Sequence, residues 1–174
     1  MTLPSWVESA AHFSDPEHRV WLRRPLGGPN GPAVFVLHNP SIANDVKNDP
    51  TANRGIGFGR SWGASDLVFV NAATGVATDA DNLASMTDPI GSMADGALEV
   101  AAEFCRQRDG VLIAAWGAPK GKAKTKRLMA ERFAHIRALG LPLHYLRMSS
   151  GGHPEHPLYL PKTLKPTPWF GVFS

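Results

Sequence analysis

The chain has 174 residues, of which 43% are hydrophobic and 19% are charged, and this composition is typical of one globular domain with a substantial core. The formal net charge of +3 is mild, and no apolar run approaches the ~20 residues that a membrane span requires. The N-terminus lacks the pattern of a secretory signal, and the single cysteine, Cys105, excludes an internal disulfide and a cysteine-based metal cluster. We therefore expect a single domain over residues 1–174, located in the cytoplasm.

The predicted elements alternate between strands and helices along the chain. Residues 1–15 are predicted to be irregular or weakly helical, and the alternation of Val20 and Leu22 with charged neighbours predicts an edge strand over 18–26. Apolar runs then predict four further strands, of which the first three are buried on both faces. These strands are predicted at 33–37, 67–70, 111–115 and 141–146. Helices are predicted at 50–62, at 89–108 and from the lysine-rich segment to Leu139.

This alternation predicts the fold class and the place of a ligand site. Strands that alternate with helices favour an α/β fold, a three-layer sandwich around a central, mostly parallel sheet of four or five strands. The carboxyl ends of parallel strands meet at one edge of the sheet, where open α/β sheets bind ligands. Asn39, Asn71 and Trp116 each follow an apolar strand, so we expect them to be neighbours in space.

Two asparagines at strand ends are candidate binding residues. The Asn39 amide can position a water, hold a carbonyl or cap the turn before Pro40. Asn71 ends an otherwise apolar strand, and burying its amide without partners costs about 1–3 kcal/mol. It is therefore expected either to read the edge of a base with one donor and one acceptor, or to bond to the loop at 72–75.

Two aromatic side chains have alternative roles. Phe58 lies on the helix predicted at 50–62, where it either stacks on a flat ring or packs in the core. Trp116 ends a strand and has the same two interpretations. Gly117 after it indicates a tight turn or a close approach of the backbone.

Three histidines are candidates for acid–base or electrostatic roles. His153 and His156 lie in a loop rich in glycine and proline, where an imidazole can act as acid or base or donate to a developing anion. Their spacing also fits a metal pair, but no acidic or cysteine partner stands at a suitable spacing, so no metal site is predicted. His38 either lines the same pocket or bonds to the backbone at its strand end.

Charged residues complete the candidate site. Asp49 is a favourable N-cap for the helix that begins at Pro50, and Asp49 or Asp45 can instead serve in catalysis. A basic run either contacts phosphates or forms a solvated helix face. It comprises Lys120, Lys122, Lys124, Lys126 and Arg127. The glycine-rich fingerprints of dinucleotide and nucleoside-triphosphate sites are missing from the sequence, so chemistry on those cofactors is not expected.

Taken together, these segments closely resemble a bacterial and phage family known as domain of unknown function 1643. The resemblance covers nearly the whole chain and is carried by segments that are specific only as a set. They lie at 37–43, 48–51, 56–58, 70–71, 115–117 and 152–159. The family name implies no activity.

The same positions resemble, more distantly, the uracil-DNA glycosylase superfamily. Asn39-Pro40 is similar to its first motif, Phe58 to its ring-stacking residue, and Asn71 to its base-reading amide. Trp116-Gly117 is similar to its fourth motif, and His156-Pro157 to its last, with His153 as a second option. This resemblance implies a glycosylase-like α/β domain.

The chain departs from that superfamily at three points. The first motif lacks its glycine, with Leu37 or His38 in that place, and the last motif reads His-Pro-Leu-Tyr without the usual Ser-Pro. Ser41 stands where the uracil-specific branch has a bulky tyrosine, so thymine or a modified base would be admitted. Asn39 in place of an aspartate resembles the mismatch-specific branch.

The implied chemistry is hydrolysis of an N-glycosidic bond after a base is flipped out of DNA. Asn39 would orient the attacking water, Asn71 would read the base and Phe58 would stack on it. His156 or His153 would stabilise negative charge on the departing base. His38 and Ser41 would line the pocket, and the basic run would contact phosphate. No metal or organic cofactor is expected.

Two alternatives use the same fold. The first is a non-catalytic binding module that recognises a modified base or nucleotide, which the missing glycine and the weak last motif favour. The second is an enzyme that acts on free nucleosides or nucleotides, which the mild net charge allows. Salt-dependent binding to DNA separates the second alternative from the others, and base release separates a glycosylase from a binding module.

Overall fold

The apolar runs form the centre of a mixed seven-stranded sheet in the computed structural model, which describes residues 1–41 and 46–171. The strands are β1 Ala11–Asp15, β2 His18–Pro25, β3 Ala33–Leu37, β4 Asp66–Asn71, β5 Val111–Ala114, β6 Leu143–Tyr145 and β7 Thr167–Pro168. The helices are α1 Pro50–Ser61, α2 Ala80–Ala84, α3 Ala94–Gln107 and α4 Ala123–Ala138, with short 3-10 helices at Ser5–Glu8 and Pro157–Tyr159. The protein is therefore an α/β protein.

The strand order is β1-β2-β4-β3-β5-β6-β7. β3 pairs in parallel with β4 and β5, and β5 pairs in parallel with β6. The outer pairs β1–β2, β2–β4 and β6–β7 are antiparallel. The described sheet thus has seven strands where four or five were expected, because antiparallel strands extend it at both edges.

Alternate residues of the buried strands supply two cores, one on each face of the sheet. On one face, Phe35 of β3 and Phe69 of β4 pack with Phe58 of α1. On the other face, Val34 and Val36 of β3 belong to a core that α3 and α4 complete. The sheet is therefore covered by helices on both faces, and the carboxyl ends of β3 and β4 lie side by side, with Leu37 in register with Asn71.

Several elements differ from the sequence predictions for identifiable reasons. β2 was predicted to be an edge strand, but it lies inside the sheet because β1 pairs with its outer side. β1 was predicted to be irregular; it is an edge strand whose residues are partly or fully exposed, so it carries no apolar alternation. The helix predicted from Pro89 begins at Ala94 instead, because the carbonyls of Pro89 and Ile90 accept hydrogen bonds from Gly75 and Thr74. The short α2 was predicted as loop, and β6 is shorter than its apolar run.

Two helical glycines give a matched test of the packing of α1 on the sheet. A Cβ at Gly96 of α3 has open space around it, so Gly96→Ala is expected to raise the free energy of unfolding by about 0.5–1 kcal/mol. A Cβ at Gly55 of α1 would lie 2.7 Å from the ring of the buried Phe69. Gly55→Ala should therefore lower the free energy of unfolding, by about 1–3 kcal/mol, despite the same gain in helix propensity. Urea titrations of the two variants would check these opposite signs, and stabilisation by both would refute the close packing at Gly55.

Candidate functional site

A cavity of about 180 Å³ opens beside the carboxyl end of β3. We call it the strand-end cavity. Its lining comes from β2, β3 and β4, from the loops after β3, β4, β5 and β6, and from α1 and α2. The lining residues are Arg19, Leu37, His38, Asn39, Ser41, Asp49, Thr51, Phe69, Ala77, Thr78, Ala80, Lys120 and His156. The fold therefore brings together several of the predicted site residues, and among the residues it adds are Arg19, Ala77, Thr78 and Ala80.

Asn39 fixes the side chains at the end of β3. Its Nδ2 donates to the carbonyls of Ala77, at 2.7 Å, and Pro40, at 3.0 Å, so its Oδ1 is the atom that faces His38. His38 Nδ1 lies 2.9 Å from this oxygen and must donate to it. The proton of the neutral imidazole is therefore on Nδ1, and Nε2 is an acceptor.

His38 is kept neutral by its surroundings. The residue is buried, and burial lowers the pKa of its imidazole. Its Nε2 has no hydrogen-bond partner among residues 1–41 and 46–171. His38 thus lines the cavity with a neutral ring whose buried Nε2 lone pair has no described partner.

His156 has the opposite tautomer. It precedes the 3-10 helix Pro157–Tyr159, and its Nδ1 accepts a hydrogen bond from the backbone N–H of Leu158 at 3.3 Å. In the neutral ring the proton is then on Nε2. Burial, together with the nearby charge of Lys120, lowers the pKa of His156 to about 4. His156 is therefore a neutral donor at pH 7.

The depressed pKa of His156 predicts a loss of stability in acid. Because the unfolded chain binds a proton near pH 6.5 and the folded chain binds it only near pH 4, the unfolded state holds more protons between these values. The contribution of His156 is thus complete above pH 6.5 and is expected to fall, by roughly 2–3 kcal/mol, as the pH drops to 4. Urea titrations of wild type and His156→Gln at several pH values would isolate this loss. A pH-independent difference between the two proteins would contradict the assignment.

Asp49 supplies the described carboxylate of the cavity. Its Oδ1 accepts the backbone N–H of Ala52 at 2.7 Å, which confirms the predicted N-cap of α1. Its Oδ2 accepts the hydroxyl of Ser41 at 2.5 Å. Asp49 is buried, and these two bonds hold its carboxylate at the wall of the cavity.

Arg19 is a site residue that sequence reasoning missed. It is 2% exposed and lines the cavity, and burial lowers its pKa to about 10 while the charge of Asp49 opposes that shift. β2 carries three arginines, at 19, 23 and 24, and Arg23 and Arg24 bind Asp66 and Asn48 elsewhere. No local sequence pattern distinguishes Arg19, which lines the cavity, from Arg23 and Arg24.

Two predicted ring-binding residues lie in the cores instead. Phe58 is fully buried, packs 5.3 Å from Trp62 and does not line the strand-end cavity. Trp116 is 1% exposed and stacks on Phe133, with ring centroids 5.2 Å apart. Both residues therefore pack in the core, which is the second of the two roles expected for each of them.

Asn71 lies beside the cavity but does not line it. It is 1% exposed, in register with Leu37 and two residues from Phe69, and both of these neighbours line the cavity. Neither its Nδ2 nor its Oδ1 has a hydrogen-bond partner among the described residues. The expected bond to the loop at 72–75 is therefore not seen there.

The remaining predicted residues are dispersed. His153 lines a different cavity, and Asp45 lies outside the described residues. Lys120 lines the strand-end cavity. Lys122 is at the N-cap position of α4 without a side-chain capping bond, and Lys124, Lys126 and Arg127 are exposed along the helix. The backbone N–H of Lys122 and the hydroxyl of Thr125 donate to Asp81, so a side chain of α2 already occupies the N-terminus of α4.

Comparisons with known proteins give one match. A family model described as "Protein of unknown function (DUF1643)" matches residues 19–158, a span that contains every described lining residue of the strand-end cavity. Neither the curated proteins nor the solved structures gave a match. Within the described residues, no helix combines the length and apolar character that crossing a membrane requires, and no group of three or more His, Cys, Asp or Glu side chains is placed to hold a metal ion.

Proposed function

The chain belongs to this family, whose description gives no activity, so we propose a function from the strand-end cavity. The protein binds a nucleobase in this cavity and hydrolyses the N-glycosidic bond of a modified or mismatched base in DNA. The volume of about 180 Å³ suits a small flat molecule, not an extended cofactor. The lining is polar and contains two cations, Arg19 and Lys120, beside the carboxylate of Asp49. The site is thus suited to a ring that hydrogen-bonds and lies next to phosphate.

One observation carries the proposal: two neutral histidines with opposite tautomers line the same cavity. His38 Nε2 is an acceptor, and His156 Nε2–H is a donor. The edge of a pyrimidine or purine that carries a carbonyl beside a ring N–H offers the complementary acceptor and donor. Both histidine protons are fixed by hydrogen bonds, so the cavity is preorganised for such an edge.

The proposed reaction is a hydrolysis that needs only water. The base is flipped out of the duplex into the cavity, and the bond between C1′ of the sugar and the ring nitrogen breaks with its electron pair on the base. His156 Nε2–H donates a hydrogen bond to the oxygen where negative charge develops. Water attacks C1′, and its proton passes to Asp49 and then to the departing base. The products are an abasic sugar and the free base.

One observation favours a non-catalytic binding module as the second candidate. Both amide protons of Asn39 are committed to backbone carbonyls, and its Oδ1 accepts from His38. Asn39 therefore positions His38 and retains only one lone pair of Oδ1 for an attacking water. If Asp49 cannot activate that water, the same cavity recognises a base without cleaving its bond.

The proposal is tested by base release from DNA. Duplex and single-stranded oligonucleotides that carry uracil, mismatched thymine or modified bases are incubated with the protein, and alkali then reveals strand breaks at abasic sites. We expect cleavage with at least one substrate. His156→Ala should lower its rate by about 100-fold, the typical loss of one electrostatic donor.

Tyr159→Ala is the matched control, since this exposed residue lies three residues after His156 but lines neither the strand-end cavity nor the cavities beside it. It should retain the wild-type rate. Equal losses in both variants would indicate disruption of the loop and not loss of a donor. Binding without cleavage would move the assignment to the binding module. The absence of both binding and cleavage would refute nucleobase recognition in DNA.

A further inference from the structure

A second concave surface lies on the other side of the loop that carries His156. A cavity of about 240 Å³ runs between α4 and residues 152–154, and another of about 650 Å³ runs between the end of α4 and the C-terminal strand β7. Arg137 and Trp169 line both cavities, so the two are adjacent. We call the two cavities together the aromatic trough.

Aromatic rings form much of this trough. Trp116 and Phe133 lie at its floor, and Trp169 packs 5.9 Å from Trp116 in its middle. Phe170 lies at its far end, where the residue is 81% exposed. An aromatic residue this exposed gains nothing from burial in the folded chain and offers a free ring face to a partner.

The described lining of the trough contains a positive charge and no negative charge. No described residue that lines either cavity is an aspartate or a glutamate. Arg137 lies in its middle, with its guanidinium carbon 3.6 Å from the centroid of the Trp169 ring. Glu155, on the adjoining loop, is paired with Arg147. The trough therefore suits an anionic partner.

Helix α4 extends this character towards the strand-end cavity. Ala130, Ala134 and Arg137 line the trough, and Lys126 lies one turn before Ala130 on the same face of the helix. Lys126 and Arg137 are eleven residues apart, which corresponds to ~16 Å along the helix axis. Cations thus lie at both ends of a wall of small side chains.

The trough and the strand-end cavity share a boundary. Pro119 lines the trough and the next residue, Lys120, lines the cavity. Likewise, His153 lines the trough and His156 lines the cavity. The Gly117 N–H donates a hydrogen bond of 2.8 Å to the Pro154 carbonyl, which joins the two loops between the trough and the cavity. A chain that crosses this boundary reaches both surfaces.

We propose that the aromatic trough binds a single strand of nucleic acid, the segment that flanks the base held in the strand-end cavity. The link between this strand and a base in the strand-end cavity rests on the proposed function. Basic grooves with aromatic rings bind single strands because phosphates meet the cations and every base has a face that can stack. Trp169 and Phe170 supply the rings, and Arg137 with Lys126 supplies the charge.

Binding of a fluorescein-labelled oligothymidylate of about ten nucleotides, followed by anisotropy at several salt concentrations, tests the trough. Phe170→Ala is expected to weaken binding by about fivefold or more through the loss of one stacking face. Arg137→Gln is expected to weaken it and to reduce the slope of log affinity against log salt by about 0.7, the value for one phosphate contact on a single strand.

Tyr159→Ala and Arg60→Gln are the matched controls, since both residues are exposed and neither lines the trough. They should bind the oligonucleotide as the wild type does. Wild-type affinity in both Phe170→Ala and Arg137→Gln would overturn the proposal. So would a wild-type dimer that Phe170→Ala converts to a monomer in sedimentation, because a second copy would then occupy the trough.

The two proposals fail separately. Base release by the wild-type protein decides the chemistry of the strand-end cavity, and the affinity of the trough variants decides the trough. Weaker oligonucleotide binding in Phe170→Ala without any base release would support the trough while refuting the hydrolase. Base release with unchanged binding in both trough variants would do the reverse.

Discussion

Asp49→Asn is expected to lower the rate of base release at least 100-fold while leaving the protein folded. The substitution keeps an oxygen that can accept from the Ala52 N–H, so the cap of α1 is retained. It removes the negative charge that, in the proposed reaction, takes the proton of the attacking water and stabilises positive charge on the sugar. General-base catalysis typically contributes about 10²–10⁴-fold, so the loss should be large in single-turnover assays.

Asp79→Asn provides a closely matched control for this result. Asp79 caps α2 in the same manner, with its Oδ1 2.7 Å from the backbone N–H of Asp81, but it does not line the strand-end cavity. We expect wild-type rates from this variant. If Asp49→Asn retains full activity, Asp49 serves only as a helix cap and another group must activate the water.

Arg132→Met is expected to cost about 2–4 kcal/mol of unfolding free energy, the largest effect on stability among these substitutions. Arg132 is 7% exposed; its Nε donates to the Ala72 carbonyl at 2.6 Å and its Nη1 to Asp95 at 2.5 Å. Methionine keeps the apolar stem but leaves both acceptors without this donor. The loop after β4 then loses its tie to α3 and α4.

Urea denaturation measures this loss, with Arg127→Met as the control from the same helix. Arg127 is exposed on α4, so its replacement should change stability by less than about 0.5 kcal/mol. A small effect at Arg132 would indicate that apolar burial of the stem, and not the two hydrogen bonds, holds α4 on the sheet. Equal effects at both positions would contradict the buried role of Arg132.

The central strands were predictable because their physics is local. A run such as 33–37, apolar at every position, is stable only when both faces are covered, and β3 has the predicted bounds. Asp49-Pro50 marks a helix start through capping and the fixed φ of proline, and α1 begins at Pro50. Edge elements such as β1 lack these signals, since exposure on one side removes the apolar pattern.

The candidate site was only partly predictable because its side chains depend on tertiary context. His38, Asn39 and Asp49 lie where strand ends and helix starts place them, so sequence reasoning found them. Phe58 and Trp116 stand at suitable positions in the sequence, yet neighbouring rings cover them. Whether an aromatic side chain faces a ligand or a core depends on those neighbours, which local sequence does not specify.

The lining of the strand-end cavity also has a consequence for biosynthesis. Arg19 and His156 meet in one cavity although 137 positions separate them in the chain. At translation rates of about 5–20 residues per second, the ribosome adds His156 roughly 7–27 s after Arg19. During this interval a nascent chain carries Arg19 without the complete lining of its cavity. The strand-end cavity is therefore complete only after His156 has been added, and a chain that terminates before this residue lacks part of the lining.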